Sequence, residues 1–185
     1  MGNVMDYLEW RGDLTFDQSP FNDVDNVILS QLAYVNFRDV IPSVQMNKGI
    51  TLKAAAQLFF DLHTEEELMQ DKSFIKDAPK LLKKAAQTNR FRDVILSDYV
   101  DMVDETLEKQ FGAFHIKLSP QCTYVAFRGT DDTLVGWKED FNMSFISPVP
   151  SQEDAVKYLD DTCSYIRGKL YVGGHSKGGN LAIYS

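Results

Sequence analysis

The chain has 185 residues, of which 44% are hydrophobic, 12% aromatic and 25% charged; that is enough apolar matter for one domain with a real core, and too much for wholesale disorder. A formal net charge of -8 argues against a nucleic-acid partner, whose phosphates most of this surface would repel. No apolar run approaches the roughly 18–20 residues that span a bilayer, and the acidic N-terminus with Asp6 lacks a secretory h-region, so a cytoplasmic protein without a transmembrane segment is expected.

Residues 1–105 read as a mainly helical region. Asp6 stands where an N-myristoylation signal needs Ser or Thr, so Gly2 is not read as an acylation site. Asn22 can cap a helix whose apolar positions Val24, Val27, Ile28, Leu32 and Val35 follow the 3.6-residue period. Thr51 opens another, with Leu52, Ala55, Ala56 and Phe59 on one face. Thr64 and Glu67 have capping-box spacing. Pro79 suits a first helical turn ahead of Leu81, Leu82, Ala85 and Ala86. Such stripes are read as core.

Residues 106–185 change character. Phe111 to Leu118 and Thr123 to Phe127 are rich in aromatic and β-branched residues around Ser-Pro-Gln-Cys, which predicts two strands and a tight turn. A helix is expected from Ser151, burying Val156, Leu159, Cys163 and Ile166 and stopping near Gly168. Leu170-Tyr171-Val172 then reads as a strand buried on both faces. Strand, helix, strand implies parallel strands, so the fold class is α/β with an incomplete, mostly parallel sheet. Cys122 and Cys163 are too few for a disulfide framework and lack metal spacing, and neither metal nor organic cofactor is expected.

The chemistry sits directly after that strand. Gly174-His175-Ser176-Lys177-Gly178 is a Gly-x-Ser-x-Gly nucleophile elbow, with Ser176 as the candidate nucleophile and Gly174, His175 and Gly178 as its support. The spacing matters because the serine stands on a sharp strand-to-helix turn whose flanking backbones leave no room for side chains. The turn also puts the hydroxyl at a helix N-terminus, where free amides and the dipole favour an oxyanion. Roughly one chain in sixteen of this length would carry the pattern by chance, so the strand before it and the apolar start after it bear the argument. The bland alternative is a glycine-rich turn with an inert serine. A P-loop would need the order Gly-Lys-Ser/Thr. Lys177, about 100° around a helix from Ser176, is badly placed as a base.

A second stretch, Tyr124-Val-Ala-Phe-Arg-Gly-Thr130, precedes Trp137-Lys-Glu-Asp140. Its Gly129-Thr130 end can present a backbone amide and a hydroxyl where hydrolases of this kind keep a second oxyanion donor. Together, Val-Ala-Phe-Arg-Gly-Thr, Trp-x-x-Asp and Gly-His-Ser-x-Gly-Gly resemble the class 3 lipases. The opening Asp6-Tyr-Leu-Glu-Trp-Arg-Gly12 and the Ser-Lys-Gly-Gly-Asn elbow resemble more closely a bacterial branch of α/β-hydrolases classed as a domain of unknown function. The resemblance implies Ser176 as nucleophile, the Lys177 amide and Thr130 as the oxyanion hole, and Arg128, Trp137 and Asp140 as scaffold. Class 3 lipases usually carry Leu where this chain has Lys177, which departs from a greasy acyl-chain mouth.

A serine needs a histidine to take its proton and a carboxylate to orient that histidine. In α/β-hydrolases both follow the serine in the chain, yet Lys177 to Ser185 contain neither. His175 is part of the elbow, His63 falls between helices and His115 lies mid-strand. The expectation is therefore a single truncated domain, the front of a serine hydrolase acting on a small carboxylic ester or related acyl substrate, and inactive by itself. Self-association through the sheet edge bared by truncation is expected as well. The alternative is a non-catalytic α/β-hydrolase-like binding scaffold. Ester, thioester and peptide substrates stay open, as does a lid or cap role for the N-terminal helices.

Overall fold

The computed structural model describes residues 2–44, 48–70, 77–131 and 133–185. The first part of the chain supplies α1 (Val4–Arg11), α2 (Asp23–Leu32), the short strand β1 (Gly49–Thr51), α3 (Leu52–Leu62), α4 (Glu65–Gln70) and α5 (Ala78–Ala85). There follow β2 (Ile95–Asp104), β3 (Lys109–Ser119), β4 (Cys122–Phe127), α6 (Leu134–Asn142), α7 (Pro150–Cys163), β5 (Lys169–Gly174) and α8 (Lys177–Tyr184). Among the described residues no helix is long and apolar enough to cross a membrane.

Helix starts follow local chemistry. Asn22 accepts from the amides of Val24 and Asp25 while Asp25 reaches back to the Asn22 amide, a full capping box. Thr51 accepts from the Ala54 amide. Thr64 and Glu67 exchange the two bonds expected of their spacing, at 2.8 and 3.2 Å. Glu67 is held below the usual carboxylate range, first by the Thr64 backbone amide and then by its hydroxyl.

The sheet corrects the expectation of mostly parallel strands. Its order is β1-β2-β3-β4-β5, and only β4 with β5 is parallel; the other three pairings are antiparallel. The short turns after β2 and β3 dictate two of these, since only antiparallel neighbours can be joined so tightly. β1 and β2 lie among the helices of residues 1–105. β2 escapes an alternation test because it is studded with aspartates. Asp98, at φ 57°, sits in the irregularity between Ser97 and Val100, and Asp101 pairs with Arg38 and Arg128.

Helices cover both faces of the sheet. Phe114, Ile116, Leu118, Tyr124 and Ala126 face the core built by α1, α2, α3 and α5. Phe111, Ala113, Val125 and Phe127, on the alternate positions, pack against Ala155 and Tyr158 of α7 and Leu181 of α8. The expected stripes hold for α3 and α5. In α2, however, Val24 and Val27 are exposed while Ile28, Leu29 and Leu32 are buried. In α7 the buried line runs through Ser151, Ala155, Tyr158 and Thr162, one position away from the apolar residues. Two hydroxyls make this possible, Tyr158 donating to the Asp98 carbonyl and Thr162 to that of Tyr158. α7 ends before Ser164, and Gly168 takes its positive φ (98°) in the connection to β5. Nor is β5 buried on both faces: it stands at the sheet's edge, with Leu170 and Val172 exposed.

One guanidinium organises the N-terminal layer. Arg90 donates to both carboxylate oxygens of Asp25, at 2.7 and 2.5 Å, and to the carbonyls of Leu14, Ser19 and Pro20. It also stacks 4.2 Å from the Phe16 ring centroid. Both side chains of the pair are essentially inaccessible, 1% and 0% exposed. Removing one partner of such a pair strands the other charge, so Arg90→Met is expected to cost about 3–5 kcal/mol in urea unfolding. Arg90→Lys should recover little, because an ammonium cannot reproduce the fork. A loss within ~0.5 kcal/mol would show that the pair does not hold this layer.

Candidate active site

β4 and β5 run parallel with Phe127 opposite Gly174, so both strands end together on one side of the sheet. From these ends emerge the Gly129-Thr130 loop and the turn His175-Ser176, which leads into α8. A Cβ on Gly174 would lie 2.5 Å from the Phe127 carbonyl oxygen and 2.4 Å from the Gly178 carbonyl carbon. One on Gly178 would lie 2.2 Å from the same Phe127 oxygen. Side chains at either position are excluded by backbone, not by movable neighbours.

Between the two glycines Ser176 adopts φ 57° and ψ −125°, a conformation that L residues avoid. Its side chain makes no capping bond and is exposed. The turn is closed by the Gly178 amide donating to the His175 carbonyl (3.0 Å) and the Gly179 amide to that of Ser176 (2.9 Å). Among the described residues the amide of Lys177, first in α8, meets no acceptor, nor does that of Thr130. The loop and the elbow touch: a Cβ on Gly129 would fall 2.5 Å from the His175 carbonyl oxygen and 2.1 Å from the Tyr34 hydroxyl.

Thr130 and Lys177 enter this site by backbone rather than side chain. The Thr130 hydroxyl donates to Asp140 at 2.5 Å and is engaged there. Lys177 turns inward: its Nζ donates to Glu139 and to the Gln110 carbonyl, both at 2.8 Å, and both charged side chains are 1% exposed. Glu139 also accepts from the amides of Gln110 and Ser151, each at 3.0 Å. Lys177 is thus absent from the mouth of the site, and it ties α8 to α6, β3 and the start of α7. Gln152 of α7 adds a 2.8 Å bond to Asn180 of α8.

The remaining site candidates separate clearly. Arg128 is buried against Asp101, and Trp137 is exposed on α6. His115 is buried, 2.9 Å from the Thr162 hydroxyl, and burial pushes its pKa down against the pull of Asp98. His63 caps the end of α3. His175 projects beside Ser176, its Nδ1 3.0 Å from the Tyr34 hydroxyl. Burial, with Asp140 next in weight, pushes the Tyr34 phenol up to about 12. Tyr34, Glu139 and Gln110 are the participants that sequence reasoning missed. Only Glu139 left a trace, as the acid beside Asp140 in the second motif.

A family model described as Mbeg1-like matches residues 85–185, more than half of the chain. The chain belongs to the Mbeg1-like family. The matched segment contains β2 to β5 and α6 to α8, hence the whole elbow and the loop facing it. Tyr34 and the N-terminal layer lie outside it. No curated protein and no solved structure matches the chain.

The Lys177–Glu139 pair makes a direct prediction for this Mbeg1-like chain. Lys177→Met should cost about 3–5 kcal/mol in chemical denaturation, because it leaves the Glu139 carboxylate buried without its cation. Adding Glu139→Gln should restore a large part of that loss. Simply additive losses in the double variant would show that the two groups do not act as a unit.

Proposed function

We propose that this chain carries the nucleophile portion of a serine hydrolase of the α/β-hydrolase type, acting on a carboxylic ester or related small acyl substrate. The observation that carries the reading is the backbone of Ser176. An exposed serine is held in a strained conformation between two side-chain-free contacts, at the N-terminus of a helix. Strain of this kind costs on the order of 1–3 kcal/mol and collects at functional sites. The motif likeness to class 3 lipases supports the same reading.

In the proposed reaction the Ser176 hydroxyl oxygen attacks the acyl carbon as its proton passes to a histidine. The carbonyl oxygen becomes an oxyanion held by the amides of Lys177 and Thr130. Collapse expels the alcohol, which takes the proton back, and water then hydrolyses the acyl-enzyme by the same path. On this reading the histidine and its acid come from chain following Ser185, in the order acid then histidine. A cytoplasmic setting belongs to the proposal, in keeping with the unpaired thiols of Cys122 and Cys163. One observation favours a second reading, a non-catalytic scaffold: no described residue stands as a base at Ser176.

A chain extended beyond Ser185 in its native gene is expected to hydrolyse short activated esters, and residues 1–185 alone to turn them over negligibly. Its rate should rise with pH through a histidine titration near neutrality, because the base must be unprotonated. Ser176→Ala should remove most of the activity. Activity that survives Ser176→Ala names the wrong nucleophile, and an extension without acid and histidine defeats the catalytic reading.

The outer edge of β5 suits self-association. No described strand pairs with it, Leu170 and Val172 are 39% and 37% exposed, and Ile183 of α8 is 90% exposed. Open apolar edges pair with other chains, and net negative charge opposes this only within a Debye length of about 8 Å in physiological salt. Light scattering after size exclusion is expected to show a dimer or larger species for residues 1–185, with Val172→Lys shifting it toward monomer. A strict monomer whose 170–172 amides are well protected from exchange rules this out.

A further inference from the structure

A cavity of about 720 Å³ opens between α3 and α5, a size that takes a small organic molecule. No residue of the elbow or of the loop facing it lines this cavity. Its floor is apolar: Ala56 and Ala86, 5% and 7% exposed, lie beside the Phe60 ring, and their short side chains leave the gap open. Around this floor stand Lys53, Lys83 and Arg92, on a chain whose net charge is -8. The neighbouring lysines of α5, Lys80 and Lys84, each have a carboxylate at 2.9 Å. Lys83 instead lies over the Phe60 ring, 5.8 Å from its centroid. Lys53 has no carboxylate partner among the described residues, and Arg92 gives its Nε to Asp93 at 3.1 Å. Among those residues one carboxylate lines the cavity, Asp61, and it accepts from Gln57 at 2.8 Å. Its position on α3 is about 12 Å from Lys53 by helical rise, beyond the ~8 Å over which exposed charges act in physiological salt.

Lys53 and Arg92 adjoin at one end, where the Lys53 amide donates to the Arg92 carbonyl at 3.0 Å. The backbone there offers an anion nothing more. Leu52 spends its amide on the Val94 carbonyl (2.9 Å), Lys53 on Arg92, and Ala54 on the Thr51 hydroxyl (3.2 Å). A phosphate held by a cradle of amides finds none. A carboxylate carrying an apolar body uses both the cations and the floor. We propose that this cavity binds a small organic carboxylate, its anion at the Lys53–Arg92 end and its apolar body over Ala56 and Ala86 toward Phe60. The site stands independently of the hydrolase reading, because nothing in it touches Ser176.

NMR mapping of backbone amide shifts in residues 1–185 tests this, with 2-naphthoate as an aromatic probe and octanoate as an acyl one. At least one of them is expected to move amides of residues 53–63 and 83–87 saturably, and the tighter binder tells which body the floor prefers. 2-Naphthamide keeps the shape without the charge, and inorganic phosphate the charge without the body; each should bind at least about tenfold more weakly. Reversing two exposed charges, Lys53→Glu with Lys83→Glu, should weaken carboxylate binding by about tenfold in a protein that stays folded. Ser176→Ala should leave it unaltered, and a loss there would move the probe to the elbow and overturn the proposal. Shifts centred on α6 or β5, equal binding of 2-naphthamide or phosphate, or indifference to the charge reversal overturns it as well. So does failure of both carboxylates to bind more tightly than about 10 mM.

Discussion

The carbonyl of Phe127 occupies the space that side chains at both 174 and 178 would need. That single backbone contact shapes the turn around Ser176. It forms because β5 runs parallel beside β4 and their ends coincide. It lets α8 begin at once, with no loop to relax the turn, and the intervening Ser176 absorbs the sharp change of direction in its dihedrals. The strain is offset by fastenings behind the turn rather than by Ser176 itself: the inward Lys177, the Gln152–Asn180 bond, and Leu181 in the core.

Buried charge recurs as the means of joining segments that have no other reason to meet. Arg90 gathers an irregular stretch between α1 and α2 through its carbonyls, and Arg128 secures the end of β4 to Asp101 of β2. Lys177 and Glu139 fasten the helices around the elbow. Pairs of this kind are weak contributors to net stability, because desolvation offsets their attraction, yet any partner removed alone is expensive. Their effect is to specify which loop sits where, and the site is assembled from loops.

Much of this was readable locally. The caps at Asn22, Thr51 and Thr64, the β3–β4 turn and the elbow glycines are short-range chemistry written in adjacent residues. What escaped was long-range. β2 reads unlike a strand because the carboxylates of Asp98 and Asp101 serve partners elsewhere in the chain, Tyr165 and Arg128. The face of α7 shifted because the hydroxyls of Tyr158 and Thr162 found acceptors that sequence cannot show. Lys177 reads in sequence as a departure from a greasy mouth, whereas its side chain turns inward to Glu139. Tyr34 carried no signal at all, being an ordinary aromatic residue until the fold sets it beside His175.

The outer side of α6 and the turn after it present Leu134, Trp137, Phe141, Phe145 and Ile146 to solvent, an apolar ridge near the Thr130 loop. The inner side of the same helix holds Glu139, and a Cβ on Gly136 would be 2.9 Å from Thr130 and 2.7 Å from Gln110. Swinging α6 outward would carry the carboxylate away from Lys177 and leave an ammonium stranded in the interior. The pair therefore holds α6, with the apolar side chains on its outer face, against β3 and the start of α7.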